Sequence, residues 1–343
     1  MSTTVLENLQ FRLAARPVGM ARDSDWQKTR EAVRAIGAGE ILVKTLYLSL
    51  DPAMRGWMNE GKSYIRPVAL GEVMRAGGIG VVLESTSPHF AVGDHVAGGI
   101  GVQRYWIGAA DDRTAGFHKV DPALAALPTY LNTLGMPGMT AYFGLLEVGQ
   151  PKAGETVVVS GAAGAVGMTV GQVARQMGCR VVGIAGGQEK CDFVVNELGF
   201  DACIDYKAGA LKDGLKEHCP QGVDVYFDNI GGEILDTVLT RINLKARIVI
   251  CGAISQYNNT SPVKGPANYL SLLVNRARME GIVVFDYAER YPVAVAALGQ
   301  WLKQGRMKSQ EDIVQGIENF PASLAMLFEG KNFGKLVLQV ASE

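Results

Sequence analysis

The run Val157-Val158-Val159 leading into Ser160-Gly161-Ala162-Ala163-Gly164-Ala165-Val166-Gly167 constrains the fold more than any other stretch of this chain. Three consecutive valines suit a strand buried on both faces. Val166, Val170, Val173, Ala174 and Met177 then recur at helical spacing, so the glycine-spaced turn joins a strand directly to a helix. At such a junction, backbone N–H groups and the positive end of the helix dipole can meet a pyrophosphate, provided no side chain blocks the approach. Gly164 allows the close approach and Gly167 the tight helix–strand packing, while Ala162 stands where the usual fingerprint has its first glycine. Glycine also serves helix–strand turns for steric reasons alone, so the surrounding sequence has to decide.

A second apolar run, Val181-Val182-Gly183-Ile184-Ala185, ends in Gly186-Gly187-Gln188-Glu189-Lys190. A site specific for NAD is expected to carry an Asp or Glu there to hold the ribose 2′-hydroxyl. None is present at the strand end. Gly186 leaves room for a 2′-phosphate and Lys190 offers it a cation, so the preference reads as NADP(H) over NAD(H). The plainer reading of Lys190 is a solvated lysine at a helix start.

At 343 residues, with 48% hydrophobic and 20% charged residues, the chain suggests two soluble globular domains. Its net charge of −1 and lack of a basic stripe argue against nucleic acid and anionic membranes as partners. The polar start Met1-Ser2-Thr3-Thr4 lacks a secretory signal pattern. An uncharged stretch over residues 122–146 is interrupted by Pro128, Asn132, Gly135, Pro137 and Gly138, which favours buried loops and short helices over a span. The five cysteines are odd in number and without CxxC, which fits reduced thiols in a cytoplasmic protein. The four histidines form no metal-ligand pattern, so no metal is expected.

From about residue 126 to 302, short apolar strands alternate with helical segments, the pattern of a doubly wound α/β domain. Candidate strands are 157–160, 181–185, 202–205, 225–228, 247–251 and 281–285. Ligands of such sheets lie beyond the strand ends. The candidate positions are therefore 160–167, 186–190, Tyr206, Asn229 and 252–257. Residues 1–125 read instead as a β-rich, barrel-like domain, with strands at 41–48, 80–84 and 94–97. The tail 303–343 offers a strand near 312–314, a short helix around 321–328 and a final strand at 335–340. It has no sheet of its own and is expected to return to the first domain, leaving the nucleotide-binding domain as an insertion.

This organisation, with Phe90-Ala91-Val92-Gly93-Asp94-His95-Val96 and Gly135-Met136-Pro137-Gly138-Met139-Thr140-Ala141-Tyr142, resembles the medium-chain dehydrogenase/reductase superfamily. Leu70-Gly71-Glu72-Val73-Met74 resembles the Gly-His-Glu segment of its zinc alcohol dehydrogenases without the histidine, and the catalytic cysteine and the four-cysteine lobe are missing too. Three further runs narrow the likeness: Leu48-Ser49-Leu50-Asp51-Pro52-Ala53-Met54-Arg55, Tyr226-Phe227-Asp228-Asn229-Ile230-Gly231-Gly232 and Cys251-Gly252-Ala253-Ile254-Ser255-Gln256-Tyr257-Asn258. They resemble the zinc-independent branch of leukotriene B4 dehydrogenase, prostaglandin reductase, alkenal double-bond reductase and bacterial curcumin reductase. The resemblance implies a GroES-like β domain, a Rossmann domain and NADPH-dependent reduction of the double bond of α,β-unsaturated aldehydes and ketones. It assigns the phosphates to Ala163, Gly164, Ala165 and Val166 and the 2′-phosphate to Lys190 and Tyr206, and it counts Gly167 and Gly187 among the cofactor-binding positions. Further cofactor contacts fall to Asn229, to the loop of Cys251, Gly252, Ala253, Ile254, Ser255 and Tyr257, to Phe285 near a strand end, and to Asn332. It also implies a homodimer, with 279–285 beside the interface. The chain departs from the branch at Ala53, where a Tyr is usual, and at Gly187, where a Ser is frequent.

Without zinc, the charge that develops on the carbonyl oxygen during hydride delivery needs a hydrogen-bond donor. Tyr257 is the first candidate, since a phenol with a pKa of about 10 donates at neutral pH without ionising; the alternative is that it packs on the nicotinamide. Tyr64 is a second candidate for the substrate side, with an exposed loop aromatic as its plain reading. Glu72 and Asp51 read as loop-holding carboxylates. Met54, Met74, Met136 and Met139 would suit an adaptable pocket or ordinary core. Two rivals stand beside the enone reductase: an NADPH quinone oxidoreductase, and a non-catalytic NADPH-binding sensor or scaffold.

Overall fold

The apolar runs between residues 156 and 281 become strands of one parallel sheet in the computed structural model, which describes residues 6–209 and 211–343. The polar start Met1-Ser2-Thr3-Thr4 lies outside the described residues. Across the sheet the order is Ala202–Asp205, Arg180–Ala185, Thr156–Ser160, Val223–Asp228, Ile242–Ile250 and Arg278–Gly281. In chain order these are the third, second, first, fourth, fifth and sixth strands, so the winding reverses between Thr156–Ser160 and Val223–Asp228. Both are central, and all five residues of Thr156–Ser160 are buried. The period of two sends Val157, Val159, Val181 and Phe227 into one core with Val170 and Val173 of the helix Ala165–Gln176. Val158, Val182 and Tyr226 go to the opposite core with Leu235 and Val238. A sheet covered on both faces thus follows from runs of valine and isoleucine that leave no polar face.

The sixth strand is displaced from its expected place. Residues 281–285 are not a strand; pairing ends at Gly281, and Val284–Arg290 forms a 3-10 turn. Phe285 therefore lies in that turn, 41% exposed, rather than at a strand end. The physical reason is the strand's position at the edge. Arg278 and Glu280 face solvent there and pair with one another at 3.6 Å, whereas Val284 is needed in the core beside the helix Tyr291–Lys303.

The β-rich part is built on the long strand Glu40–Ser49. It pairs antiparallel with Gly78–Ser85, with Tyr105–Ala109 and with Lys335–Gln339 near the C-terminus. His95–Gly98, His118–Lys119 and Glu311–Gln315 extend the sheet, and Glu7–Leu13 with Trp26–Ala32 forms a separate hairpin. Gly80 is required by close strand approach, since a Cβ there would sit 2.4 Å from Val43 Cγ1. By internal contacts the chain forms two compact units. One takes the chain up to Leu131 and again from Glu311 to Glu343, and the other is Asn132–Gln310. Among the described residues no helix is long and apolar enough to cross a membrane.

Candidate functional site

In the unit Asn132–Gln310 the site is organised where the winding reverses. Ser160 ends the first strand and Asp228 the fourth; both are buried, and Ser160 Oγ donates to Asp228 Oδ1 at 3.0 Å. The same Oδ1 accepts from Tyr226 OH at 2.8 Å, from Ile230 N–H at 3.0 Å and from Gly231 N–H at 2.9 Å. Asn229 N–H donates back to Ser160 Oγ, and Asn229 Nδ2 to the Ser160 carbonyl at 2.7 Å. Burial pushes the Asp228 carboxyl above its usual range, against the opposing pull of the Gly231 N–H and the other donors. Sequence reasoning placed Ser160 at the head of the candidate turn but missed Asp228 as its partner. The available signal was a carboxylate directly after the apolar run Val225-Tyr226-Phe227, a buried position that requires partners.

The glycine turn follows from Ser160. Gly161 has a φ of +63°, and a Cβ on Gly167 would stand 2.2 Å from the Gly161 carbonyl oxygen, so the turn and helix meet with no space for a side chain. The helix Ala165–Gln176 begins at Gly164, which offers no capping side chain, and Ala163 beside it is small. This is an anion-binding geometry made of backbone.

The loop after the fifth strand hangs on the same framework. Cys251 and Gly252 N–H donate to the Asp228 carbonyl at 2.9 and 3.1 Å, Ile254 N–H to Asn229 O at 3.2 Å, and Ser255 Oγ to Ile230 O at 2.6 Å. Tyr257 closes the loop, its hydroxyl accepting the Ala253 N–H at 3.2 Å. A Cβ on Gly252 would lie 2.9 Å from that hydroxyl, so the glycine makes room for it. Burial, with Asp228 adding to it, pushes the Cys251 thiol up to about 12, which keeps it protonated and unreactive. The structure thus brings together Ala163, Gly164, Asn229, Cys251, Gly252 and Tyr257 at the carboxyl ends of three strands.

A second cluster stands at the ends of the second and third strands. Gly187, at a φ of +101° and with open space where a Cβ would project, precedes the helix Gln188–Asn196, whose first turn carries Lys190. Tyr206 packs beside Gly186, where a Cβ would meet its hydroxyl at 3.0 Å. Burial raises the Tyr206 phenol, so it remains a neutral donor. Asp205, which sequence reading also passed over, accepts from Gly187 N–H at 2.8 Å and Lys207 N–H at 2.9 Å and so fixes the loop.

Tyr64 and Asn332 belong to the β-rich unit. Tyr64 is 56% exposed and its hydroxyl accepts from Trp57 Nε1 at 3.4 Å; Asn332 Nδ2 donates to Gly334 O at 2.9 Å. Three of the four methionines are core: Met54 and Met74 pack in the β-rich core and Met139 in the Rossmann core, and Met136 alone is exposed. Met54, Met74 and Met139 are buried, so core packing claims them. Glu72 holds its own loop, accepting from Ala69 N–H at 2.8 Å and Arg66 at 2.7 Å. Asp51 does more than hold a local loop, since its Oδ1 takes the buried Lys335 ammonium at 2.7 Å from the far end of the chain.

Two family models match, the N-terminal domain of oxidoreductase over residues 9–115 and zinc-binding dehydrogenase over residues 165–300. Among the described residues, no group of three or more His, Cys, Asp and Glu side chains is placed to hold a metal ion. The chain is 42% identical over 342 residues to the NADPH-dependent curcumin reductase of Escherichia coli (strain K12), covering 98% of each. It is 41% identical over 344 residues to the NADP(+)-dependent 2-alkenal reductase of Nicotiana tabacum, covering 98% of this chain and 99% of that one. The crystal structure of CurA in complex with NADPH from Vibrio vulnificus superimposes with a TM-score of 0.92 at 43% identity, over 98% of this chain and 100% of that one. With likeness of this depth along nearly its whole length, the chain belongs to the medium-chain dehydrogenase/reductase superfamily, in the branch of the prostaglandin, alkenal and curcumin reductases.

Proposed function

We propose that this protein is an NADPH-dependent reductase of the carbon–carbon double bond of α,β-unsaturated aldehydes and ketones. The observation that carries the reading is the end-to-end similarity to reductases named for curcumin and for 2-alkenals, each NADP-dependent by name. The site fits the cofactor. A backbone cradle free of side chains stands at Gly164, and the loop of Gly186 and Gly187 has Lys190 and Tyr206 beside it and no acid of its own. In this reading Ala163, Gly164, Ala165, Val166 and Gly167 hold the pyrophosphate, and Lys190, Tyr206 and the Gly187 backbone hold the 2′-phosphate. Asn229 and the Cys251–Tyr257 loop line the nicotinamide half, with Phe285 nearby. The roles of Tyr64 toward substrate and Asn332 toward cofactor rest on resemblance alone.

When bound, NADPH supplies a hydride. Tyr257 would donate a hydrogen bond to the substrate carbonyl oxygen, on which negative charge builds as the β-carbon is reduced. The Ala253 N–H, donating to the same hydroxyl, polarises it toward giving its own proton. The α-carbon would then take its proton from water, which completes the saturated carbonyl. The test is NADPH consumption with enals, enones and quinones in parallel. The reading requires turnover of the alkenes. Turnover of quinones alone would favour the quinone oxidoreductase, and tight NADPH binding without turnover the sensor.

Assembly as a homodimer is part of the proposal. Among the described residues the edge strand Arg278–Gly281 is paired on one side only, and Leu270, Leu273 and Val274 of the adjoining helix are more than half exposed. Light scattering at a mass twice 36.7 kDa is expected. The five free cysteines support a reducing, cytoplasmic setting.

A further inference from the structure

We propose that Asp228 is a positioning residue for the cofactor, acting through Ser160 and Asn229; the inference rests on the reading that the surrounding loops hold NADPH. Asp228 is 1% exposed and so does not itself meet a ligand. Its Oδ1 collects four donors, two of which are the N–H groups of Ile230 and Gly231 in the loop after the fourth strand. A third is Ser160, the residue from which the glycine turn departs. Its backbone carbonyl holds Cys251 and Gly252, where the third loop begins. One residue therefore sets the spacing of all three loops. Among the described residues its Oδ2 is buried with no hydrogen-bond partner, so Oδ1 carries the carboxyl's bonds to the loops. A buried carboxyl is costly unless it is hydrogen-bonded, and here Oδ1 carries the bonds that offset the cost. Four donors converge on one oxygen with two lone pairs, a crowding that the negative charge of a carboxylate favours over a neutral amide oxygen.

A structural role alone would lower stability and leave the cofactor affinity of the folded fraction unchanged. A positioning role raises the KM and dissociation constant for NADPH while kcat at saturating cofactor changes little. The experiment compares wild type, Asp228→Asn and Asp228→Ala by NADPH fluorescence titration, steady-state kinetics and circular dichroism. Asp228→Ala is expected to weaken NADPH binding by about ten- to a hundredfold, the loss of charge-assisted hydrogen bonds. Asp228→Asn keeps the oxygen without the charge and is expected to fall between the two. A folded Asp228→Ala protein with unchanged NADPH affinity overturns the proposal, as does a loss confined to kcat. If Asp228→Ala does not fold, Ser160→Ala takes its place. There the hydroxyl link from Asp228 to the Asn229 N–H is lost, a rise of about fivefold or more in the dissociation constant is expected, and no rise overturns the proposal. Failure of the wild type to bind NADPH would instead refute the underlying reading of the loops.

Discussion

At the scale of single residues, Tyr257 and Lys190 make separable demands. Tyr257 is held by a loop that needs Gly252 for clearance and Ala253 for a hydrogen bond, so Tyr257→Phe removes a donor without emptying the site. Turnover of an enone is expected to fall about a hundredfold, the usual cost of one oxyanion donor, with the KM for NADPH nearly unchanged. An unchanged kcat would make Tyr257 a packing residue. For Lys190→Ala, the ratio of kcat/KM with NADPH to that with NADH is expected to drop about tenfold, the value of one charge-assisted contact. The glycine turn and the missing acid after the second strand were legible because they depend on local spacing. Ser160 with Asp228 was not, since the pair is 68 residues apart and the sequence shows neither the register nor the donors that make a buried carboxylate tolerable.

Among the elements, two ion pairs tie strands to distant segments. Lys335 opens the last strand, is 2% exposed, and donates to the Leu50 carbonyl at 2.6 Å and to Asp51 at 2.7 Å. It thereby fixes the turn into the short helix Ala53–Trp57. Lys335→Ala leaves both acceptors without their cation and is expected to cost about 3 kcal/mol in denaturant unfolding. Glu155, before the first Rossmann strand, pairs with Arg247 of the fifth strand, and Arg247 also donates to Gly149 O at 2.8 Å. Burial pushes the Glu155 carboxyl up, but hydrogen bonds from Arg247 and Lys152 N–H outweigh it and leave it below its ordinary 4.5. A depressed carboxyl stabilises the fold above its unfolded value and loses that contribution as pH falls through its folded one. The stability gap between wild type and Glu155→Gln should therefore be widest near neutrality and close as pH drops below about 4. A constant gap would show that the pair contributes no pH-dependent stability. Strands with unbroken valine or isoleucine runs were legible from sequence. The edge strand Arg278–Gly281 was not, because exposure makes its composition polar, and the apolar residues just after it mimic a strand while serving the core.

For the molecule as a whole, the pattern of alternating strands and helices predicted the doubly wound sheet, and its order is the one that creates a crevice at the strand ends. The hairpin Glu7–Leu13 with Trp26–Ala32 was not read from sequence. Trp26–Ala32 is largely polar and mostly exposed, so it lacks the apolar periodicity that marks a strand. The central claim is that hydride goes to carbon–carbon double bonds. The most direct test is to reduce an α,β-unsaturated ketone with NADPH carrying deuterium at C4, prepared on either face, and locate the label by NMR. Deuterium on the β-carbon of a saturated ketone, from one face of the cofactor, is the predicted result. Deuterium on a carbinol carbon with the double bond intact would contradict it.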